Sequence, residues 1–250
     1  MEVLRVRQID HSALCSDCNL TKVWSRGLCN TCYRRKSRRG QLEKRLMPVV
    51  LAEQQQEILD GLMLGDGCLF KHKPTHKPYL AIQRQQSDRG YLEHHLETFS
   101  QFIVQPIVDK MLFDNRTHKT YSFSRMVTRH ATAFEPTYLR WYKDGIKQVP
   151  NDLVLTPLMI ATWFCDDGWI GFSSKSKCAI KLKMSTHGFA RDGVIQLATS
   201  LNTMYCSGFH VYQDNGASYI SAANRPTRLM FEDILQYIPN CMHRKITCLY

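Results

Sequence analysis

Ile58-Leu-Asp-Gly-Leu-Met-Leu-Gly-Asp66-Gly67 and Met159-Ile-Ala-Thr-Trp-Phe-Cys-Asp-Asp167-Gly168 are two versions of one phrase, 101 residues apart in a chain of 250. Each is an apolar run of helical character that ends in an acid and a glycine. Gly61 and Gly65 stand four apart, so they share a helix face that another backbone can approach closely. Ala161, Thr162 and Cys165 offer a similar small-residue face in the second copy. Two such helices can pack about a pseudo-twofold axis, with Asp66 and Asp167 side by side where Gly67 and Gly168 break the helices. A carboxylate at a helix C-terminus faces the negative end of the macrodipole and costs roughly 0.3–1 kcal/mol. Helix punctuation alone does not explain bearing that cost twice at matched positions. A charge needed for metal ligation does.

The segments that follow the two phrases also match. A short strand comes first (68–70, then 169–172), then a polar turn and a longer strand (79–85, then 179–184). An amphipathic helix follows (91–102, then 193–204), then two more strands and a last helix. The order α-β-β-α-β-β-α, written twice, predicts an α+β fold of two halves, residues 47–150 and 151–250.

Residues 1–46 are different in kind. Two C-x-x-C pairs, Cys15/Cys18 and Cys29/Cys32, are separated by ten residues. Two-residue spacers let both sulfurs of a pair reach one ion, and two pairs complete a closed tetrahedral site that suits structural Zn²⁺. The second pair is expected to open a short helix that carries Arg34, Arg35, Lys36, Arg38 and Arg39 outward as a nucleic-acid arm. Gly40 and the polar run after it form a linker.

Charge follows the same division. Lys plus Arg total 33 and Asp plus Glu 22, a net +11. Residues 1–46 hold eleven basic and four acidic side chains, so +7 lies there and +4 in the other 204 residues. Such an excess points to a polyanion as partner. With 44% hydrophobic and 22% charged residues the chain is neither disordered nor fibrous. No apolar run reaches a membrane span and the start lacks a signal-peptide stretch, so the expectation is an intracellular protein of cytoplasm, nucleoid or organelle matrix. Cys68, Cys165, Cys178, Cys206, Cys241 and Cys248 are scattered and are expected to be small buried hydrophobes.

Leu59-Asp-Gly-Leu-Met-Leu-Gly-Asp-Gly and Ala161-Thr-Trp-Phe-Cys-Asp-Asp-Gly resemble the paired signature helices of single-chain LAGLIDADG homing endonucleases. Lys147-Gln-Val-Pro-Asn-Asp-Leu, Leu155-Thr-Pro-Leu and Ile238-Pro-Asn-Cys-Met-His-Arg-Lys245-Ile resemble flanking segments of intron-encoded members. The resemblance covers about residues 50–250; the cysteine knuckle is an accessory to it. It implies a saddle of two antiparallel sheets on a long, pseudo-palindromic duplex DNA site, cut once per strand by a monomer. Asp66 and Asp167 would bind Mg²⁺ or Mn²⁺, with Gly65 and Asp166 adding a carboxylate or backbone oxygen; the Asp166 side chain is expected to point elsewhere and pair locally. Lys147 and Lys245 would stand near the scissile phosphates. Gln85, or Gln83, would orient metal-bound water, with Lys183 at about the mirror place. Gln83, Gln85, Arg84, Lys181 and Lys183 would read base edges, and Lys71, His72, Lys73, Lys175 and Lys177 would touch phosphates. The alternatives are a non-cleaving intron RNA maturase or DNA-binding regulator of the same fold, and a zinc-finger transcription factor in which residues 47–250 only oligomerise.

Overall fold

In a computed structural model the chain divides into two compact units, residues 1–48 and 49–250. The structure describes residues 13–24, 27–42, 50–173, 176–214 and 216–249; of residues 173 and 176–178 only the backbone is described. The sequence boundary at residue 46 falls outside these, as do Lys175 and the Lys177 side chain.

The first unit is built around its cysteines. Leu14 bridges to Lys22. Cys29 then caps α1, Asn30–Arg38, with its sulfur accepting from the Cys32 amide. The second cysteine pair thus opens a helix, as its spacing predicts.

The second unit places its two halves on one plan. The first runs α2 (Glu53–Leu64), β1 (Cys68–Phe70), β2 (Tyr79–Gln85), α3 (Arg89–Thr98), β3 (Val108–Asp114), β4 (Lys119–Val127) and α4 (Glu135–Trp141). A small hairpin, β5 (Tyr142–Lys143) and β6 (Ile146–Lys147), leads onward. The second half runs α5 (Pro157–Asp167), β7 (Gly168–Ser173), β8 (Ser176–Ser185), α6 (Arg191–Tyr205), β9 (His210–Asp214), β10 (Ala217–Ala223) and α7 (Arg225–Ile234), and a 3₁₀ segment, Asn240–Leu249, closes it. The sheets have matching antiparallel orders, β1-β2-β4-β3 and β7-β8-β10-β9. The hairpin has no equivalent among the described residues of the second half. None of the helices among the described residues is long and apolar enough to cross a membrane.

Between the sheets, α2 packs on α5. The α5 start is fixed by Thr156, whose hydroxyl oxygen accepts from the Met159 amide at 3.3 Å, and by Pro157 in the first turn. Almost every side chain from 58 to 64 and from 159 to 166 is buried. The small residues set the approach. A Cβ on Gly61 would fall 2.7 Å from Met159 O and from Thr162 Cβ, and one on Gly65 would fall 2.4 Å from Asp166 Cβ. Thr162 and Asp166 are the counterparts of Gly61 and Gly65 at the offset of 101. Residues that touch their own counterparts lie on the axis relating the halves, as a pseudo-twofold requires.

Candidate active site

The two signature acids end α2 and α5. Asp66 is exposed at its helix end, and Asp167 is half-buried. Burial first, and then the charge of Asp66, push the Asp167 carboxyl up to about 6. The two acids are therefore close enough to feel each other.

Each helix end is met by a lysine. Lys147, delivered by β6, donates from Nζ to the carbonyls of Gly65 (3.1 Å) and Gly67 (3.2 Å). Lys245, delivered by the closing 3₁₀ segment, donates to Asp166 O and Gly168 O at 3.0 Å each and to Phe164 O at 3.2 Å. Gly65 and Gly67 become Asp166 and Gly168 on adding 101, so unrelated elements bring the two lysines to equivalent places. Both cations satisfy orphan C-terminal carbonyls and oppose the unfavourable pairing of an acid with the macrodipole. Burial lowers both lysine pKa values, and neighbouring anions work against that shift.

The oxygens of Asp166 and Gly65 already have neighbours within the protein. The Asp166 side chain is fully buried; its Oδ2 accepts from the Asp66 amide at 2.9 Å, and its Oδ1 lies 3.6 Å from Arg84 Nη1. Burial pushes its carboxyl up to about 7, against the pull of Arg84. Of the oxygens expected as extra metal ligands, the Asp166 carboxylate is committed to the seam. The backbone oxygens of Gly65 and Asp166 are bonded to lysines.

Strand alternation corrects two further expectations. On β2, Gln83 and Gln85 are exposed while Arg84 points to the opposite face and is buried. Arg84 binds Asp66, donates to Cys165 O at 3.1 Å, and reaches Asp88 at 3.4 Å. It holds the site together and does not read bases. Lys183 pairs with Trp169 in the position that Ala81 takes opposite Cys68, so it is the counterpart of Ala81 and not of Gln85. Between the equivalent pairs Phe70–Tyr79 and Gly171–Lys181 the second half carries one residue more, and its pairing shifts register at Phe172/Ser173.

The exposed side of the first sheet leads to Asp66 through an open cleft of about 600 Å³, lined by Gln83, Gln85, Leu112, Tyr121, Asp66 and Lys245 among others. By register Arg125 lies beside Gln83 and Phe123 beside Gln85. On the second sheet Lys181 is exposed, and Lys183 sits 4.1 Å above the Tyr219 ring, which stacks on Tyr212. Arg125, Tyr121, Tyr212 and the half-exposed Trp169 escaped the sequence reading, although following the alternation along the partner strands would have found them. Lys73 is exposed, as expected of a phosphate contact. Lys71 is largely covered, with Glu135 at 3.7 Å and the Tyr138 ring at 5.5 Å, so it is not a free cation. His72 packs on Tyr79.

In the first unit the four sulfurs of Cys15, Cys18, Cys29 and Cys32 all lie within 4.8 Å of one another. A tetrahedral ion with bonds near 2.3 Å needs sulfurs ~3.8 Å apart, so the group fits; Cys18 and Cys29 are already at 3.9 Å. Although burial opposes it, backbone amides of Cys29, Asp17 and Cys18 draw the Cys15 thiol down to about 6, towards the ligating thiolate. Of the five cations on α1 and at its C-cap, Arg35 and Lys36 pair with Asp17, while Arg34, Arg38 and Arg39 are exposed.

The chain has recognisable relatives. It is 30% identical over 202 residues to an uncharacterised protein of Methanocaldococcus jannaschii, spanning 80% of this chain and 76% of that one. A probable intron-encoded endonuclease of Wickerhamomyces canadensis is 26% identical, over 75% of this chain and 81% of its own length. A cytochrome b mRNA maturase of Debaryomyces hansenii is also 26% identical, over 62% of this chain and 58% of its own. Among solved structures, the homing endonuclease I-WcaI bound to its DNA recognition sequence superposes with a TM-score of 0.74 at 23% identity, covering 88% of this chain and 95% of that one. Residues 56–226 match the model of the LAGLIDADG DNA endonuclease family, and with its duplicated halves and paired helices the chain belongs to that family.

Proposed function

We propose that the protein is a site-specific DNA endonuclease that hydrolyses one phosphodiester on each strand of a long duplex site. The observation that carries this is the pair of helix-end acids, Asp66 and Asp167, each beside a lysine held at an equivalent place. Asp66 and Asp167 would hold the divalent ions, Mg²⁺ or Mn²⁺. Such ions, when bound, polarise the phosphate and lower the pKa of a bound water.

The chain's own groups do the rest. The sheet faces carrying Gln83, Gln85, Arg125, Lys181 and Lys183 would lie in the major groove and fix the register, with Arg and Gln suited to guanine and adenine edges. Lys147 and Lys245, with three donor protons each, would offset charge that develops on the phosphate oxygens. Gln85 would orient the attacking water. Zn²⁺ would fill the four-thiolate group as a structural ion, and Arg34, Arg38 and Arg39 would contact phosphate.

The test is selection of cleaved sites from a randomised duplex library with Mg²⁺, alongside Asp66→Asn and Asp167→Asn. Metal-dependent cleavage of particular sites by the natural chain, lost in both variants, is the expected result. The likeness to an mRNA maturase keeps one second possibility in play: binding of intron RNA with no cleaved site recovered would replace the nuclease by a maturase of the same fold.

A further inference from the structure

The two halves differ at one buried point. The first signature carries Gly65 where the second carries Asp166, so the seam holds one carboxylate without a counterpart. It also holds one cation without a counterpart. Counting from the matched pairs Cys68–Ala81 and Trp169–Lys183, the position equivalent to Arg84 is Thr186, which only donates to Ser218 O at 2.6 Å. The unmatched acid and the unmatched base meet: Arg84 Nη1 is 3.6 Å from Asp166 Oδ1, with side-chain exposures of 7% and 0%. A buried carboxylate of this kind is tolerated only with a partner.

The same guanidinium grips Asp66, while Asp167 has no ion-pair partner among the described residues. A cation approaching Asp66 must displace an ion-paired Arg84, whereas Asp167 has no ion-paired guanidinium and feels Lys147, Lys245 and Arg84 only through space. We propose that Arg84 is a positioning residue that neutralises Asp166, holds the Asp66 carboxylate in place, and makes the two halves take up divalent cations unequally, the Asp167 side first. This rests on Asp66 and Asp167 being metal ligands.

The test uses the whole chain in four forms: natural, Arg84→Met, Asp166→Asn and the double variant. The Asp166→Asn side chain keeps an oxygen for the Asp66 amide and loses the charge. Arg84→Met alone should lower Tm by roughly 10 °C, and Asp166→Asn in that background should restore at least about half of it. Mn²⁺ uptake followed by electron paramagnetic resonance should show two steps at least about tenfold apart in the natural chain, closing to within about threefold in the double variant. Should Arg84→Met not fold, Arg84→Lys, which keeps the charge without the fork, should fold and narrow the gap. Tm losses that simply add, or Mn²⁺ steps blind to Arg84, would overturn the proposal. If uptake is blind to Arg84 but vanishes in Asp66→Asn/Asp167→Asn, the metal assignment survives and this inference alone falls; absence of uptake in the natural chain overturns both.

Discussion

Lys147 Nζ lies 3.1 Å from the carbonyl oxygen of Gly65, at the end of the helix that carries Asp66. The contact gives the lysine a structural duty as well as a chemical one. Replacing Lys147 or Lys245 by Met should slow strand cleavage by about 10²–10³-fold. It should also lower Tm, more for Lys245, which serves three carbonyls. Single-turnover rates and thermal melts on the same preparations check both effects.

Gly65→Ala should be among the most damaging small substitutions in the chain. The new methyl would sit 2.4 Å from Asp166, and relief would have to come from parting two packed helices. A loss of about 2–3 kcal/mol is expected in urea unfolding. Asp166→Gly added to it should relieve the clash yet restore only part of the loss, since it also removes the partner of Arg84 and the acceptor of the Asp66 amide.

His95 should make stability depend on acid. It is buried against Tyr91, and neither ring nitrogen has a hydrogen-bond partner among the described residues. Burial first, then the nearby His94 and Arg84, depress its pKa to about 3 from the ordinary 6.5. The unfolded chain therefore binds the proton more readily, and stability falls as pH drops from about 6.5 towards 3, by at most about 1.4 kcal/mol per unit. Urea midpoints of the natural chain and of His95→Leu across that window should diverge, with the variant the flatter.

Loss of zinc should unfold the first unit. Chelation, or Cys32→Ser, should release one equivalent of zinc and disorder residues 13–42, because the small core there consists of the ligands with Leu28 and a few neighbours. Zinc analysis together with amide spectra of residues 13–42 checks it. Asp17→Ala should do the opposite of harm to nucleic-acid affinity, since it frees Arg35 and Lys36.

The repeat was legible because two helices that pack on each other must both carry small residues and both end where the chain turns. That placed Asp66, Asp167, both halves and the strand bounds of β2 from letters alone. Lys147 and Lys245 were suggested only by the family resemblance, which their flanking Pro and apolar patterns support, since a two-stranded hairpin delivers one and a 3₁₀ segment the other. Arg84 was misplaced because a basic residue between the exposed Gln83 and Gln85 reads as a contact, until the period of two puts it on the inner side with Ile82. Lys183 was misplaced because spacing along the chain sets it only near the mirror of the glutamines, whereas strand pairing, which no local pattern displays, makes it the counterpart of Ala81. Lys71 read as a free charge because Glu135, its partner, is distant in sequence.

The unequal seam also decides what would follow if the chain were split and its pieces made separately. Two copies of the first piece would set Gly65 against Gly65, with room to spare and with each Arg84 still held by its own Asp66 and Asp88. Two copies of the second would set Asp166 against Asp166, a pair of buried anions with no guanidinium between them. Self-association is thus open to one piece and closed to the other. The second has become a dependent of the first, and the covalent link between them can no longer be traded for a symmetric dimer.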